Sequence, residues 1–318
     1  MASGNWLGNP FMLINPNNMS KIILVAGGTG NLGGKIINAL LEQAAEVRIV
    51  ARQNSDPGKL KRLEKLGVTI FQGNRWKVEE LTNACTGVDC VVSALSGLRE
   101  VIIDTQKVLL DAAVAAGVPR FIPSDYSLDF TALPPGGNRN LDWRREFHQY
   151  LGQAPISATT IFNGAFTDLL TGQMPLVLFK FKRVVYWGNA DQRMDFTTMD
   201  NTAAFTAKAA LDPSTPRFLR IAGDQVSARD LAAIASAVTG DQFRLFRPGS
   251  LGLLGTLIRI ARLIAPGEEE VYPAWQGMQY MRGMLDGRAK MKQLDNNRYP
   301  DLHWTTAQEL LSANQTSV

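Results

Sequence analysis

The run Val25-Ala26-Gly27-Gly28-Thr29-Gly30-Asn31-Leu32-Gly33-Gly34 holds the G-x-G-x-x-G spacing. Glycines so placed let a backbone turn tightly and touch a diphosphate, whose charge then meets the unpaired N–H groups of a helix start. The chemistry is anion capture by main chain, and Gly27, Thr29, Gly30, Asn31, Leu32 and Gly33 are the candidate contacts. A mononucleotide P-loop instead needs Gly, four residues, Gly, Lys and then Ser or Thr. With Gly34 and Lys35 as its Gly-Lys pair, Thr29 stands where the first glycine belongs and Ile36 where the hydroxyl belongs, so that reading fails.

In NAD-selective domains an acidic residue closing the second strand accepts hydrogen bonds from the ribose hydroxyls. Here that strand closes with Val50-Ala51-Arg52. A guanidinium replaces the carboxylate, and its charge and fork geometry suit a 2′-phosphate. Lys59, opening the next helix, adds a second positive charge. The ligand these residues ask for is NADPH.

The elements that must position them alternate. Strand-like runs at residues 22–26, 47–51, 68–72, 90–94, 121–123 and 159–162 are separated by helical patterns, including 35–43 directly after the glycine run. Such alternation implies βαβ units with right-handed crossovers and an α/β, Rossmann-type, doubly wound parallel sheet. Residues 127–140, with Pro134, Pro135, Gly136 and Gly137, read as a long loop at the carboxyl edge of that sheet, bordering the ligand crevice. Beyond Gly164 the alternation weakens to a strand-like 183–187, a helix-like 201–211 and an apolar helix after Ser250. The expected organisation is a flexible tail at 1–18, an NADP-binding Rossmann domain at 19–164 and a smaller substrate-binding lobe at 165–318, partly interleaved with the first.

Composition narrows the function classes. The chain has 318 residues, 45% of them hydrophobic, and a net charge of +4. The basic clusters Lys59, Lys61, Arg62, Lys65 and Lys180, Lys182, Arg183 are short, and nucleic acid is not the expected partner. Cys85 and Cys90 are the only cysteines and read as free buried thiols of a reducing, cytoplasmic setting. His148 and His303 lie far apart, so no metal site is expected. Residues 1–18 lack the basic and apolar regions of a signal peptide, and Met19 reads as an alternative start. The apolar stretch 251–266 is short and broken by Arg259 and Arg262, so it is expected to pack as a helix over a pocket and not to enter a membrane.

The glycine run, Arg52, Val118-Pro119-Arg120-Phe121-Ile122-Pro123-Ser124-Asp125-Tyr126 and Tyr299-Pro300-Asp301-Leu302-His303-Trp304-Thr305-Thr306 together resemble the NmrA-like atypical short-chain reductases. The similarity is to the isoflavone reductase-like branch, which includes phenylcoumaran benzylic ether and pinoresinol reductases. The resemblance implies an adenine contact at Gly73-Asn74, where the family has G-D. It also implies that Ser93 and Ala94 pass the ribose and nicotinamide, and that Ser124 and Phe162 lie near the nicotinamide.

One element of the resemblance fails. The branch uses a lysine in the helix after the loop, and the matching helix Leu141-Asp142-Trp143-Arg144-Arg145-Glu146-Phe147-His148-Gln149-Tyr150 has none. Tyr126 and Tyr150 are also not followed four residues later by lysine, as the other short-chain signature requires. Three side chains remain as catalytic candidates. Arg144, in the lysine's place, would hold a developing oxyanion but is a poor proton donor. His148 lies one turn further on the same face and carries the ring whose ordinary titration is near neutral pH. Tyr126 would donate a phenolic proton if a nearby cation lowered its pKa.

The expected function is transfer of a hydride from NADPH to a small apolar or aromatic carbonyl, enone, quinone or benzylic ether, in a lobe walled by Phe166, Trp187, Trp275 and Tyr280. The expected assembly is a monomer or homodimer. The alternative is a non-catalytic NADP-binding regulator of the NmrA type that signals redox state through a protein partner.

Overall fold

The computed structural model describes residues 20–73 and 77–314. The tail expected at 1–18 and the adenine contact expected at Asn74 lie outside the described residues.

The first half runs β1 (Ile22–Ala26), α1 (Asn31–Glu42), β2 (Glu46–Arg52), α2 (Pro57–Lys65), β3 (Thr69–Gly73), α3 (Val78–Cys85), β4 (Cys90–Ser93), α4 (Gln106–Ala115), β5 (Arg120–Ile122), α5 (Arg139–Leu151) and β6 (Ser157–Ala158). Its strands form one parallel sheet in the order β3-β2-β1-β4-β5-β6. β1 and β4 are buried along almost their whole length, as near-continuous Val and Ile runs must be when helices cover both faces. The order reverses between β1 and β4, and a crevice opens outside the carboxyl ends of strands at such a point.

The second half runs β7 (Thr160–Phe162), β8 (Ala165–Phe166), β9 (Val177–Leu178), β10 (Arg183–Trp187), β11 (Met194–Thr197), α6 (Met199–Leu211), β12 (Phe218–Arg220), β13 (Asp224–Val226), α7 (Ala228–Thr239), β14 (Arg244–Gly249), α8 (Leu251–Ile264), α9 (Ala274–Leu285) and α10 (Ala307–Asn314). The expected strand at 159–162 divides. β6 completes the main sheet, the Thr159 N–H donates a last bond to the Phe121 carbonyl, and the Thr160 N–H already donates to Arg217. β7 thereby leaves the sheet to pair with β12.

Three clusters of apolar side chains hold the layers. On one sheet face Ile36, Ile37 and Leu40 of α1 meet the small-residue face of α6 at Ala203, Ala207 and Ala210. On the other, Leu109 and Leu110 of α4 and Phe147 of α5 pack against β4 and β5. The second half has its own core around Phe196, Trp187 and Trp275. Each fully buried leucine or isoleucine contributes roughly 2 kcal/mol through area removed from water. The chain end is stitched back over α6. The Asn201 side chain donates to the His303 carbonyl (2.6 Å) and accepts from the Thr305 N–H (2.9 Å), while Lys208 pairs with Asp301 at 2.7 Å.

Cys85 and Cys90 are free and buried, and burial pushes their thiols up to about 11 and about 12. α8 packs through Leu254 and Ile258 while Leu253, Leu257, Ile260, Leu263 and Ile264 are exposed. It therefore lies on α9 with an outward apolar face. Among the described residues no helix is long and apolar enough to cross a membrane, and no three His, Cys, Asp or Glu side chains gather as metal ligands.

Candidate functional site

The glycine run turns where β1 ends against the end of β4. Gly27 has φ +85°, and a Cβ there would lie 2.6 Å from the Ala94 carbonyl oxygen. At Gly33 a Cβ would lie 2.2 Å from the Gly27 oxygen. Both positions exclude any side chain, because the obstruction is backbone. The Gly30 N–H donates to the Gly27 carbonyl at 3.0 Å, and α1 begins at Asn31 without a side-chain cap. The first N–H groups of α1, on Asn31, Leu32 and Gly33, are thus offered to an anion at the positive end of the helix dipole.

Arg52 closes β2, opposite Gly73 of β3, with its side chain exposed. Asp56 caps α2 by accepting from the Gly58 and Lys59 N–H groups, and the Lys59 ammonium reaches the Thr29 carbonyl at 3.1 Å. Lys59, Thr29 and Arg52 thereby flank the phosphate loop on its β2 side. Ser93 is fully buried at the end of β4 and its hydroxyl has no hydrogen-bond partner. The Ala94 N–H bonds the Ala26 carbonyl at 2.8 Å, which ties β4 to the loop. Ser124, ending β5, is held on both sides: its N–H donates to Gln106 and its hydroxyl to the Leu95 carbonyl at 2.5 Å.

Phe162 is fully buried, edge-on to Phe130 at 5.2 Å and stacked on Phe218 at 5.8 Å, so its ring is part of the core. Trp187 and Trp275 also belong to the core; the Trp275 indole N–H donates to the Pro266 carbonyl. Phe166 and Tyr280 are half-buried.

α5 presents Arg144 and His148 inward on one face, its start capped by Asn138. Arg144 donates from Nε to the Ser124 carbonyl and from Nη1 to the Asn140 carbonyl, both at 3.0 Å, so it braces the end of β5. His148 lies 2.5 Å through Nε2 from Oδ2 of the fully buried Asp125. Its Nδ1 faces the Arg217 guanidinium at 3.2 Å, and its ring stacks on Phe218. A guanidinium only donates, so Nδ1 accepts and Nε2 gives its proton to Asp125. Both nitrogens of His148 are occupied, and the general-acid role expected of it has no free proton.

Thr160 adds a 3.1 Å hydrogen bond to the same Asp125 oxygen. Burial pushes the Asp125 carboxyl up, but His148, Arg144 and Thr160 outweigh it and hold the group below its ordinary value. Tyr126 fails its own condition. Burial raises its phenol, and the neighbours that act on it are Thr206, Cys90 and Asp125, none of them a cation. Its ring sits in the core, sealed from solvent.

Sequence reasoning passed over Asp125 as a partner, although it stands in the Ser124-Asp125-Tyr126 run, and missed Arg217 and Asn140. Nothing local marks Arg217, which reaches His148 from 69 positions away.

The sequence profile of the NmrA-like family matches residues 19–250. Pinoresinol reductase 2 of Arabidopsis thaliana is 32% identical over 208 residues, covering 61% of this chain and 65% of that protein, so the match spans just under two thirds of the relative. The bifunctional pinoresinol-lariciresinol reductase of Linum album is 26% identical over 313 residues, covering 91% of this chain and 93% of that protein. The solved structure of AtPrR2 with NADP+ and (+)pinoresinol superposes with a TM-score of 0.78 at 24% identity, over 93% of this chain and 99% of the other.

Proposed function

The chain belongs to the NmrA-like family, and on that premise we propose that it is an NADPH-dependent reductase of a small apolar or aromatic carbonyl, enone, quinone or benzylic ether. The observation that carries the cofactor half is the cradle at Gly27 and Gly33, where a Cβ would strike backbone at 2.6 and 2.2 Å. An uncapped helix start and the unpartnered hydroxyl of buried Ser93 lie beside it. These features fit a dinucleotide: Gly27, Gly30 and Gly33 admit the diphosphate, and the Asn31, Leu32 and Gly33 N–H groups bind it. Arg52 and Lys59 take the 2′-phosphate, while Ser93, Ala94 and Ser124 line the path toward the nicotinamide. NADP+ in a structural neighbour is in keeping with this.

When bound, NADPH supplies the hydride. The chain's part is to orient the substrate at the carboxyl ends of β4 and β5, exclude water and stabilise charge on the substrate oxygen. Arg144, fixed by two carbonyls, serves that last purpose. The substrate class follows the named relatives, which are reductases; the missing lysine is the feature that speaks for the regulator alternative. The buried thiols Cys85 and Cys90 are in keeping with a cytoplasmic setting.

The test is turnover. The purified chain should oxidise NADPH with at least one member of a panel of aromatic ketones, enones, quinones and benzylic ethers, followed by absorbance. Tight NADPH binding with an inert panel would contradict the reductase assignment.

A further inference from the structure

A cleft of about 380 Å³, open to solvent, lies where the crevice loop, the first turn of α5 and the carboxyl half of α9 meet. None of the residues assigned above to NADPH lines it, and neither does Arg144. Leu133, Pro134 and Leu141 give it an apolar wall. Its charges do not balance. Asp142 is paired with the Arg145 guanidinium and Asp286 with that of Arg288, both at 2.5 Å. The half-buried Arg282 guanidinium, in the same wall, has no hydrogen bond or ion pair among the described residues. It rests on the bare backbone of α8, since a Cβ on Gly255 would lie 3.4 Å from its Cζ.

A second donor stands in the same wall. Asn138, 5% exposed, caps α5 by accepting from the Leu141 N–H at 3.1 Å and also accepts from the Gln276 amide at 2.7 Å, both through Oδ1. These two bonds fix which way the amide is turned, and its Nδ2 is left with no partner. A buried donor in that state carries a desolvation cost that an acceptor would remove. The positive end of the α5 dipole lies at the same place.

We propose that this cleft is a second ligand site, separate from the cofactor crevice, and that it takes a small organic acid. Arg282 and the Asn138 amide hold the carboxylate, and the apolar body lies against Leu133, Pro134 and Leu141. The anion supplies the charge that the two internal pairs leave over, and a planar carboxylate matches the guanidinium fork. Inorganic phosphate would meet the same donors but has nothing to lay on the apolar wall. A ligand here ties α9 to the cap of the helix that carries Arg144, as the bond from the Arg139 N–H to Gln279 at 3.1 Å already does.

The experiment is calorimetric titration of the whole chain, with and without saturating NADPH, using phenylacetate, its neutral analogue phenylacetamide and inorganic phosphate. Phenylacetate should bind with a Kd of about 1 mM or tighter in both states, and the amide and phosphate at least about tenfold more weakly. Arg282→Gln should weaken phenylacetate about tenfold or more and leave NADPH affinity within about twofold. Asn138→Asp keeps an acceptor for the α5 cap but replaces the free donor with a repelling charge, so it should abolish phenylacetate binding. Should that variant fail to fold, Arg282→Gln decides alone. Equal affinity for acid and amide, phosphate binding as tightly as phenylacetate, or unchanged affinity in Arg282→Gln overturns the site. Loss of phenylacetate binding on saturation with NADPH also overturns it, because the acid then sits in the cofactor crevice. No phenylacetate binding up to about 10 mM overturns it outright.

Discussion

Asp125 shows how one buried charge is made tolerable. Its carboxylate has no solvent access, and His148, Thr160 and the nearby Arg144 hold it ionised. Removing the donor of a hydrogen bond to a buried charged group typically costs about 1–3 kcal/mol or more, because the acceptor's desolvation is left uncompensated. His148→Ala should therefore lower unfolding stability by roughly 2 kcal/mol, read by urea denaturation at neutral pH. The sign of the pH dependence follows from the depressed folded value. The stabilisation is complete above the unfolded carboxyl's 3.8 and is lost as pH falls through the lower folded value. Acid unfolding of His148→Ala should move to higher pH than wild type, and an unmoved acid midpoint would contradict this account. Residues at this scale were legible where the signal was local. The glycine run, Arg52 and Lys59 could be named from spacing alone, whereas the His148–Arg217 contact joins α5 to the approach to β12 across a turn of the fold that no local pattern records.

Among the elements, the join between β1 and α1 bears most on function. Gly33, in the first turn of α1, lies so close to Gly27 that their backbones nearly touch, and this contact keeps the helix dipole aimed at the loop. Gly33→Ala should force the turn open, lower stability by about 2 kcal/mol or more and abolish measurable NADPH binding, checked by thermal melting and calorimetry. Retained affinity would show that the loop yields where the geometry says it cannot. The parallel sheet was readable because each strand is a Val and Ile run followed by a helical period. In the second half only 183–187, 201–211 and the helix after Ser250 were readable, matching β10, α6 and α8, since strands such as β8 and β9 have two residues each and carry no period at all. α7, α9 and α10 went unrecognised for a related reason: partner elements distant in sequence decide what those segments bury. The wide helical turn Glu100–Thr105 ahead of α4 was equally silent.

At the scale of the molecule, the two halves are woven together and not merely joined. β7 pairs with β12, Arg220 of β12 bonds Asp129 in the crevice loop, and the segment from Tyr299 to Thr305 lies along α6, which itself packs on α1 of the first half. The buried cluster around Asp125 accordingly draws on both halves: Asp125 and His148 from the first, Thr160 and Arg217 from the second. The resemblance that pointed to the family rested on segments at both ends of this arrangement, which is why it survived the loss of the expected lysine. The central claim is that this body binds NADPH at the glycine cradle and selects it through Arg52. Calorimetric titration of the wild-type chain and Arg52→Asp with NADPH and NADH tests it most directly. The account predicts that wild type prefers NADPH and that Arg52→Asp weakens NADPH by about tenfold to hundredfold while sparing or improving NADH. Binding of neither cofactor to the wild-type chain, or an unchanged preference in Arg52→Asp, would contradict it.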